Sequence, residues 1–362
     1  MSKATIALLV GTKKGLYILR SDAARERWTT DGPFADRAPV YHASFDPRDN
    51  ASMFLAANAT WGGPRIELSR DRGRTWTPTK NPAFPAGGER TFARTWHIAP
   101  GHAATPDLVW AGTEPAALFR SDDRGESWTL VRGLDDQPTR AQWVPGNGGL
   151  GLHSIAVDAV DARRISVGIS AGGVYTSTDG GGTWAPDDLG FQTEDGLGDG
   201  VSVTYCIHKL VAHPRVAGLR FVKVHDHPYW REPGAAAWSR VTEGLPRSFG
   251  FAAAIHPHDG ASAYLVPLDD RQRLAPPPGI AVWRTRDRGR TWTRHAAGLP
   301  AGAPMEVLRE GLSTDGLDPV GVYFGTANGE VWGSADEGAT WSRLAQYLPY
   351  VLSVHAATIA PD

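Results

Sequence analysis

One eight-residue pattern recurs through this chain and restricts what it can fold into. SRDRGRTW (Ser69 to Trp76) returns as SDDRGESW (Ser121 to Trp128), STDGGGTW (Ser177 to Trp184), TRDRGRTW (Thr285 to Trp292) and SADEGATW (Ser334 to Trp341). Two weaker copies complete the series. SDAARERW (Ser21 to Trp28) keeps Ser and Trp, and REPGAAAW (Arg231 to Trp238) keeps Gly and Trp. The closing tryptophans are then 48, 52, 56, 54, 54 and 49 residues apart. A period of this size marks a repeat architecture, whose units bury their apolar faces only by stacking on neighbours.

Each unit carries signals for four strands. An alternating segment precedes the turn, as in GLYILRS, AALFRS or GVYTST, and before it lies a glycine-ended strand such as ALLVGT, LVWAGT, ISVGIS or VYFGTA. Alternation of this kind is the β signal. The expected fold is all-β: a seven-bladed β-propeller of four-stranded blades, one domain over residues 1–362. LPYVLSVHAATIAP after the last turn is a lone first strand, and ATIALLVGT near the start is a second strand. The two ends are expected to share one blade, the C-terminal strand innermost, which removes exposed sheet edges.

Within the turn, a carboxylate or hydroxyl accepts backbone N–H bonds, glycine supplies a positive φ, and Trp anchors neighbouring units. The Asp and Trp of each turn are therefore structural. The turns match the Asp-box, or BNR, motif Ser-x-Asp-x-Gly-x-Thr-Trp, and the chain resembles the BNR-repeat propellers called sialidase-like. The resemblance implies the fold more than an activity, because one fold hosts many functions. Sialidases have six blades, a Phe-Arg-Ile-Pro segment, an arginine triad and a Tyr–Glu nucleophile pair; seven units stand here, without that segment or an assignable triad. Seven-bladed Asp-box relatives include xyloglucan-cleaving enzymes, which pair two propellers around a cleft, and photosystem assembly factors. One propeller could not build that cleft alone.

A formal net charge of −2 gives no global attraction to nucleic acid or to an anionic membrane. Cys206 is the single cysteine, so no intrachain disulfide forms, which fits a reducing compartment. MSKATIALLVGTKKG is too short in its apolar run for a signal peptide. The expected location is cytoplasmic.

The resemblance places the ligand opposite the Asp-box turns, where innermost strands begin. Seven octets stack there: VYHASFDP, TWHIAPGH, LHSIAVDA, IHKLVAHP, GFAAAIHP, LREGLSTD and VHAATIAP. Their second column holds Tyr41, Trp96, His153, His208, Phe251, Arg309 and His355, and the third adds His42, His97, Lys209 and Glu310. Buried first strands ordinarily begin with aliphatic residues. His153, His208 and His355 are therefore candidate ligands for a divalent metal (Zn, Fe or Cu), with an open position for water or substrate. Iron oxygenases that cleave carotenoids share that idea of inner-strand histidines, though they lack Asp-boxes. Without a metal, the imidazoles and Arg309 make an anion pocket in which a histidine is general acid or base.

Rim loops add Lys13, Lys14, Trp61, Glu114, His225, Asp226, His227, Asp269 and Asp270. Glu114 is a candidate acid–base carboxylate. Three long loops, 129–151, 185–206 and 269–279, shape access. Glu194, Asp195 and Asp199 form an acidic run without a regular calcium-loop pattern, which reads as solvated. The expected function is a small-molecule enzyme, hydrolase or lyase, working from the His/Arg pocket on a ligand that could be anionic. The rival is a non-catalytic platform that binds a protein or ligand through Trp61, Trp143, Tyr229 and Trp230. A sialidase or other glycosidase ranks behind both.

Overall fold

The structure is a computed structural model, and it describes residues 4–60, 62–146, 148–192 and 205–361. The fold is a seven-bladed β-propeller of seven four-stranded antiparallel sheets. The first strands of blades 2 to 7 are Val40–Phe45, Arg94–Pro100, Leu152–Val157, Ile207–Ala212, Ala253–Ile255 and Leu312–Thr314. Blade 1 is closed as expected. The C-terminal strand Val351–Ile359 pairs antiparallel with Thr5–Thr12, from Thr5 opposite Ile359 to Leu9 opposite His355.

The chain groups into two compact units. Unit 1 comprises residues 1–55, 69–76 and 242–362 and holds blades 1, 6 and 7; unit 2 comprises residues 56–68 and 77–241 and holds blades 3, 4 and 5. Inside unit 2 the first strands of blades 3, 4 and 5 lie side by side in chain order. Inside unit 1, Val351–Ile359 lies against Val40–Phe45 and Leu312–Thr314. Among the described residues, no helix is long and apolar enough to cross a membrane.

The repeated octapeptide joins the third and fourth strands of its blade, as the spacing predicts. Ser69 Oγ donates to Asp71 Oδ1 at 2.8 Å and accepts from the Gly73 amide at 2.8 Å. Thr75 donates to the same carboxylate twice, from its amide at 2.8 Å and its hydroxyl at 2.7 Å. The pattern repeats around Asp179, Asp287 and Asp336. It repeats around Asp123 with Ser127 in the threonine's place. Two consecutive residues per turn take positive φ, not one: Arg72 (60°) with Gly73 (82°), and Arg124 (60°) with Gly125 (87°). In the decayed turn of blade 1, Arg25 takes the glycine position at φ 59°. Its carbonyl accepts from Trp28 Nε1 at 3.1 Å, as the Gly73 carbonyl accepts from Trp76.

The glycine-ended second strands have a packing reason. A Cβ on Gly112 would lie 2.3 Å from the Leu152 carbonyl oxygen, and one on Gly168 2.9 Å from Ile207 Cγ2. In unit 1, a Cβ on Gly11 would meet the Val40 carbonyl oxygen at 2.5 Å. Glycine here lets the first strand of the next blade approach the sheet.

Several rim expectations are corrected by burial. Trp143, Tyr229 and Trp230 are core residues, 5%, 0% and 1% exposed. Trp143 Nε1 donates to Tyr175 Oη at 3.1 Å. Tyr229 and Trp230 lie on the third strand of blade 5, Pro228–Arg231, so none of the three can anchor a partner. Trp61, Glu194, Asp195 and Asp199 lie outside the described residues.

Candidate functional site

Three β-bulges in succession define one end of unit 2. In blade 3, Thr95 faces Thr113 and His97 faces Gly112, so Trp96 is the extra residue. In blade 4, Leu152 faces Ile169 and Ser154 faces Gly168, leaving His153 over. In blade 5, Ile207 faces Val224 and Lys209 faces Lys223, leaving His208. A bulge takes a residue out of the ladder and re-aims its side chain. The unusual column of the sequence is thus a column of bulges in these three blades. It lies where the second strands end, away from the Asp-box turns that follow the third strands.

The register does not extend to His355. In blade 1, Gly11 faces Ser353 and Thr12 faces Val351, so the extra residue is Leu352, and His355 pairs regularly with Leu9. The octet of the last strand is shifted by three residues from the stacking the sequence suggested.

In blade 3, Trp96 Nε1 donates to Glu114 Oε2 at 2.9 Å, and Arg94 Nε stands 3.2 Å from the same oxygen as an ion pair. The Arg94 guanidinium also lies 5.4 Å from the centroid of the Trp96 ring, a cation–π contact. Gly149, from the long loop before blade 4, abuts this carboxylate, and a Cβ there would be 2.6 Å from Glu114 Oε1. Gly151 likewise packs on the Trp96 indole, where a Cβ would lie 2.5 Å from its Cδ1. Gly149 and Gly151, at the end of the loop before blade 4, therefore pack on the Trp96–Glu114 pair. His97 pairs opposite Gly112 and is half-buried.

In blade 4, His153 is fully buried. Its Nδ1 is 3.2 Å from Ser154 Oγ, which accepts from the Leu210 amide of blade 5 at 3.1 Å. The histidine is thus seated at the junction of two blades.

Blade 5 departs from the repeat. Lys223 occupies the position that Gly112 and Gly168 hold in blades 3 and 4, opposite buried Lys209. Lys223 is 2% exposed, and burial pushes its amine down to about 7, with the neighbouring Asp226 carboxylate opposing the shift. Its Nζ donates to the carbonyl of Val224 and, at 3.0 Å, to that of His225. His208 is buried, and its ring centroid lies 5.1 Å from that of exposed His225 in an edge-on arrangement. One ligand atom each from Cys206, His208 and His225 lie within 4.8 Å of one another. His153 and His355 are not members of that group, so the metal set of three histidines from separate blades is not the one this geometry assembles. Asp226 and His227 follow in the same hairpin loop, half-buried, and burial lowers the His227 imidazole.

Unit 1 brings together others of the predicted set. His42 Nε2 is 3.7 Å from Glu310 Oε2, both buried. Tyr41 and Arg309, their chain neighbours, and His355 are half-buried. Lys13 Nζ sits 4.3 Å above the Tyr350 ring, whose hydroxyl donates to Glu306 Oε2 at 2.7 Å. Burial and that carboxylate push the Tyr350 hydroxyl well above the ordinary phenol range. A cleft of about 630 Å³ in unit 1, lined by Arg20, Asp31, Phe34, Arg72 and Arg74, sits beside the Asp-box turn and not at the strand-start end. Arg20 and Asp31 pair with each other there at 3.5 Å, and we place no ligand in it.

Arg94, Cys206 and Lys223 were not among the predicted site residues. The signals for the last two were present in the sequence: the C-x-H spacing of Cys206 and His208, and a lysine where sister strands end in glycine.

The BNR/Asp-box repeat family model matches residues 175–186. With five turns that keep the Asp-box hydrogen bonds on seven four-stranded sheets, the chain has the fold of a BNR/Asp-box β-propeller. Among curated proteins it is similar to a probable oligoxyloglucan-reducing end-specific xyloglucanase of Neosartorya fischeri, 29% identical over 290 residues, covering 69% of this chain and 33% of that protein. It is also similar to a xyloglucanase of a Paenibacillus species, 25% identical over 278 residues, covering 69% and 26%. The chain spans about a third or less of the length of the curated relatives it matches. Among solved structures, the GH74 xyloglucanase of Xanthomonas campestris matches with a TM-score of 0.62 at 19% identity, over 98% of this chain and 52% of that one. That likeness is one of fold.

Proposed function

We propose that this chain is a hydrolase-type propeller whose ligand is a small oligosaccharide, held at the bulged end of unit 2. The observation that carries the reading is the Trp96–Glu114 pair. An indole turned out of the ladder by a bulge stays half-buried between Gly151 and the Arg94 guanidinium, so its open edge is the part a sugar ring would meet, and its own N–H fixes a carboxylate there. The similarity to proteins named xyloglucanases supports a neutral glucan over an anion, the ligand first expected of a His/Arg pocket. In this reading Glu114 is the reacting carboxylate, as general acid to the glycosidic oxygen or as general base to the attacking water. His153 and His208 line the neighbouring bulges, and His97, Lys209 and Asp226 contribute polar contacts beside them.

A second reading, a propeller that binds its sugar without cleaving it, is favoured by the donors on Glu114. Trp96 Nε1 and Arg94 Nε both approach Oε2, which suits a carboxylate that anchors the indole. Glycoside hydrolysis generally needs a second carboxylate about 5–10 Å away. Incubation with xyloglucan oligosaccharides, with calorimetry for binding and reducing-end release for turnover, tests both. Turnover lost in Glu114→Gln with unchanged thermal stability supports the hydrolase. Binding without turnover supports the platform, and no binding of any neutral oligosaccharide contradicts both.

A further inference from the structure

The blade 5 cluster carries an inference independent of the oligosaccharide reading. We propose that Cys206, His208 and His225 form a three-ligand site for a zinc-class divalent cation. The donor set is one thiolate and two imidazoles, which suits zinc. Three protein ligands leave a fourth position for water, and exposed His225 puts that position at the solvent-facing side.

The fold presents these three groups together by local geometry. Cys206 immediately precedes the first strand of blade 5, and the bulge re-aims His208 two residues later. His225 follows the second strand, and its amide donates to the Cys206 carbonyl at 2.8 Å, tying the loop to the strand start. Lys223 Nζ caps the His225 carbonyl from beneath. Two of the ligands are thereby fixed by backbone and burial.

Metal–sulfur and metal–nitrogen bonds of about 2.3 and 2.0–2.1 Å need donor atoms roughly 3.3–3.8 Å apart in a tetrahedral site. The 4.8 Å spacing within which the donors lie needs at most about 1.5 Å of closure, and rotation of the exposed His225 ring supplies the part that involves its own donor. Binding is written with its proton: the thiol of Cys206 loses H⁺ to solvent as the cation takes the sulfur lone pair.

The experiment uses the full chain, stripped with chelator and titrated with Zn²⁺ and, separately, Co²⁺. The expected result is one tight equivalent of Zn²⁺ and a Co²⁺ spectrum with a thiolate charge-transfer band and four-coordinate ligand-field bands. Cys206→Ser should abolish the charge-transfer band. His225→Ala, at an exposed position, should weaken Zn²⁺ binding at least about tenfold, or 1.4 kcal/mol, with the thermal midpoint of the metal-free protein checking that the variant folds. His227→Ala, two residues on, should keep the full stoichiometry. Zn²⁺ uptake by the wild type no greater than by His225→Ala, or a Co²⁺ spectrum without a thiolate band, overturns the site. The metal readouts do not involve sugar binding, so the two proposals fail separately.

Discussion

Lys223 stands directly opposite Lys209 across the first two strands of blade 5, at the level where blades 3 and 4 pair His97 with Gly112 and Ser154 with Gly168. Two buried lysines at a position that packing elsewhere reserves for glycine are costly to fold around. Replacing a buried amine with an apolar side chain of similar volume removes the cost of desolvating it. Lys223→Met is therefore expected to keep or raise the denaturant midpoint. A loss beyond about 2 kcal/mol would mean that the amine's bonds to the Val224 and His225 carbonyls outweigh its burial.

The paired positive φ values of the Asp-box turns give opposite predictions for adjacent positions. Gly73→Ala puts a Cβ at φ 82° and 2.5 Å from Ile18 Cδ1, so it should destabilise by about 1–3 kcal/mol. Arg124→Gly relieves a non-glycine residue at φ 60° and removes an exposed ion pair with Asp107. It should change stability by no more than about 0.5 kcal/mol. Urea unfolding of the two variants checks the pair.

Acid should act on the same turns. Asp179 is held down to about 2 by the Thr183 amide, then by the Thr183 and Ser177 hydroxyls. For Asp71, burial is the largest single influence and raises the value, but the Thr75 hydroxyl and amide and the Ser69 hydroxyl together outweigh it and bring it to about 2. A carboxylate depressed in the folded state contributes stability that is complete above its unfolded value near 4 and is lost as pH falls through about 2. Thermal melts of Asp71→Asn and wild type should differ most at neutral pH and converge from pH 4 toward pH 2. A difference constant over that range contradicts the assignment.

Trp143 and Trp230 should behave as core residues. Trp143→Ala and Trp230→Ala are each expected to cost about 3–5 kcal/mol of stability, as for large buried aromatics. Either variant folding with wild-type stability while losing a ligand would return these residues to a rim.

The fold was legible because the Asp-box ties a chemical requirement to fixed offsets. A hydroxyl, a carboxylate and a glycine must meet within one turn, so Ser, Asp and Gly mark five turns, and the period of the tryptophans finds the two where only Ser21 with Trp28 and Gly234 with Trp238 survive. The bulged column in unit 2 was legible too, since Trp96, His153 and His208 break an aliphatic expectation. What failed was register. Short strands stack in more than one ungapped way, and LPYVLSVHAATIAP was aligned on His355 although the bulge falls at Leu352. Burial was the other gap: Tyr229 and Trp230 follow HDHP and look like a loop, but strand pairing draws them into the core. The Cys206–His225 association depends on a hairpin register that no single-strand pattern contains.

The account rests most directly on the bulged end of unit 2 being where ligand binds. Calorimetric titration of xyloglucan oligosaccharide into wild type, Trp96→Ala and Glu114→Gln tests it in one series. The predicted result is saturable binding by wild type, weakened at least about tenfold, or 1.4 kcal/mol, by Trp96→Ala. Equal affinity in wild type and Trp96→Ala, with both proteins folded, would contradict it.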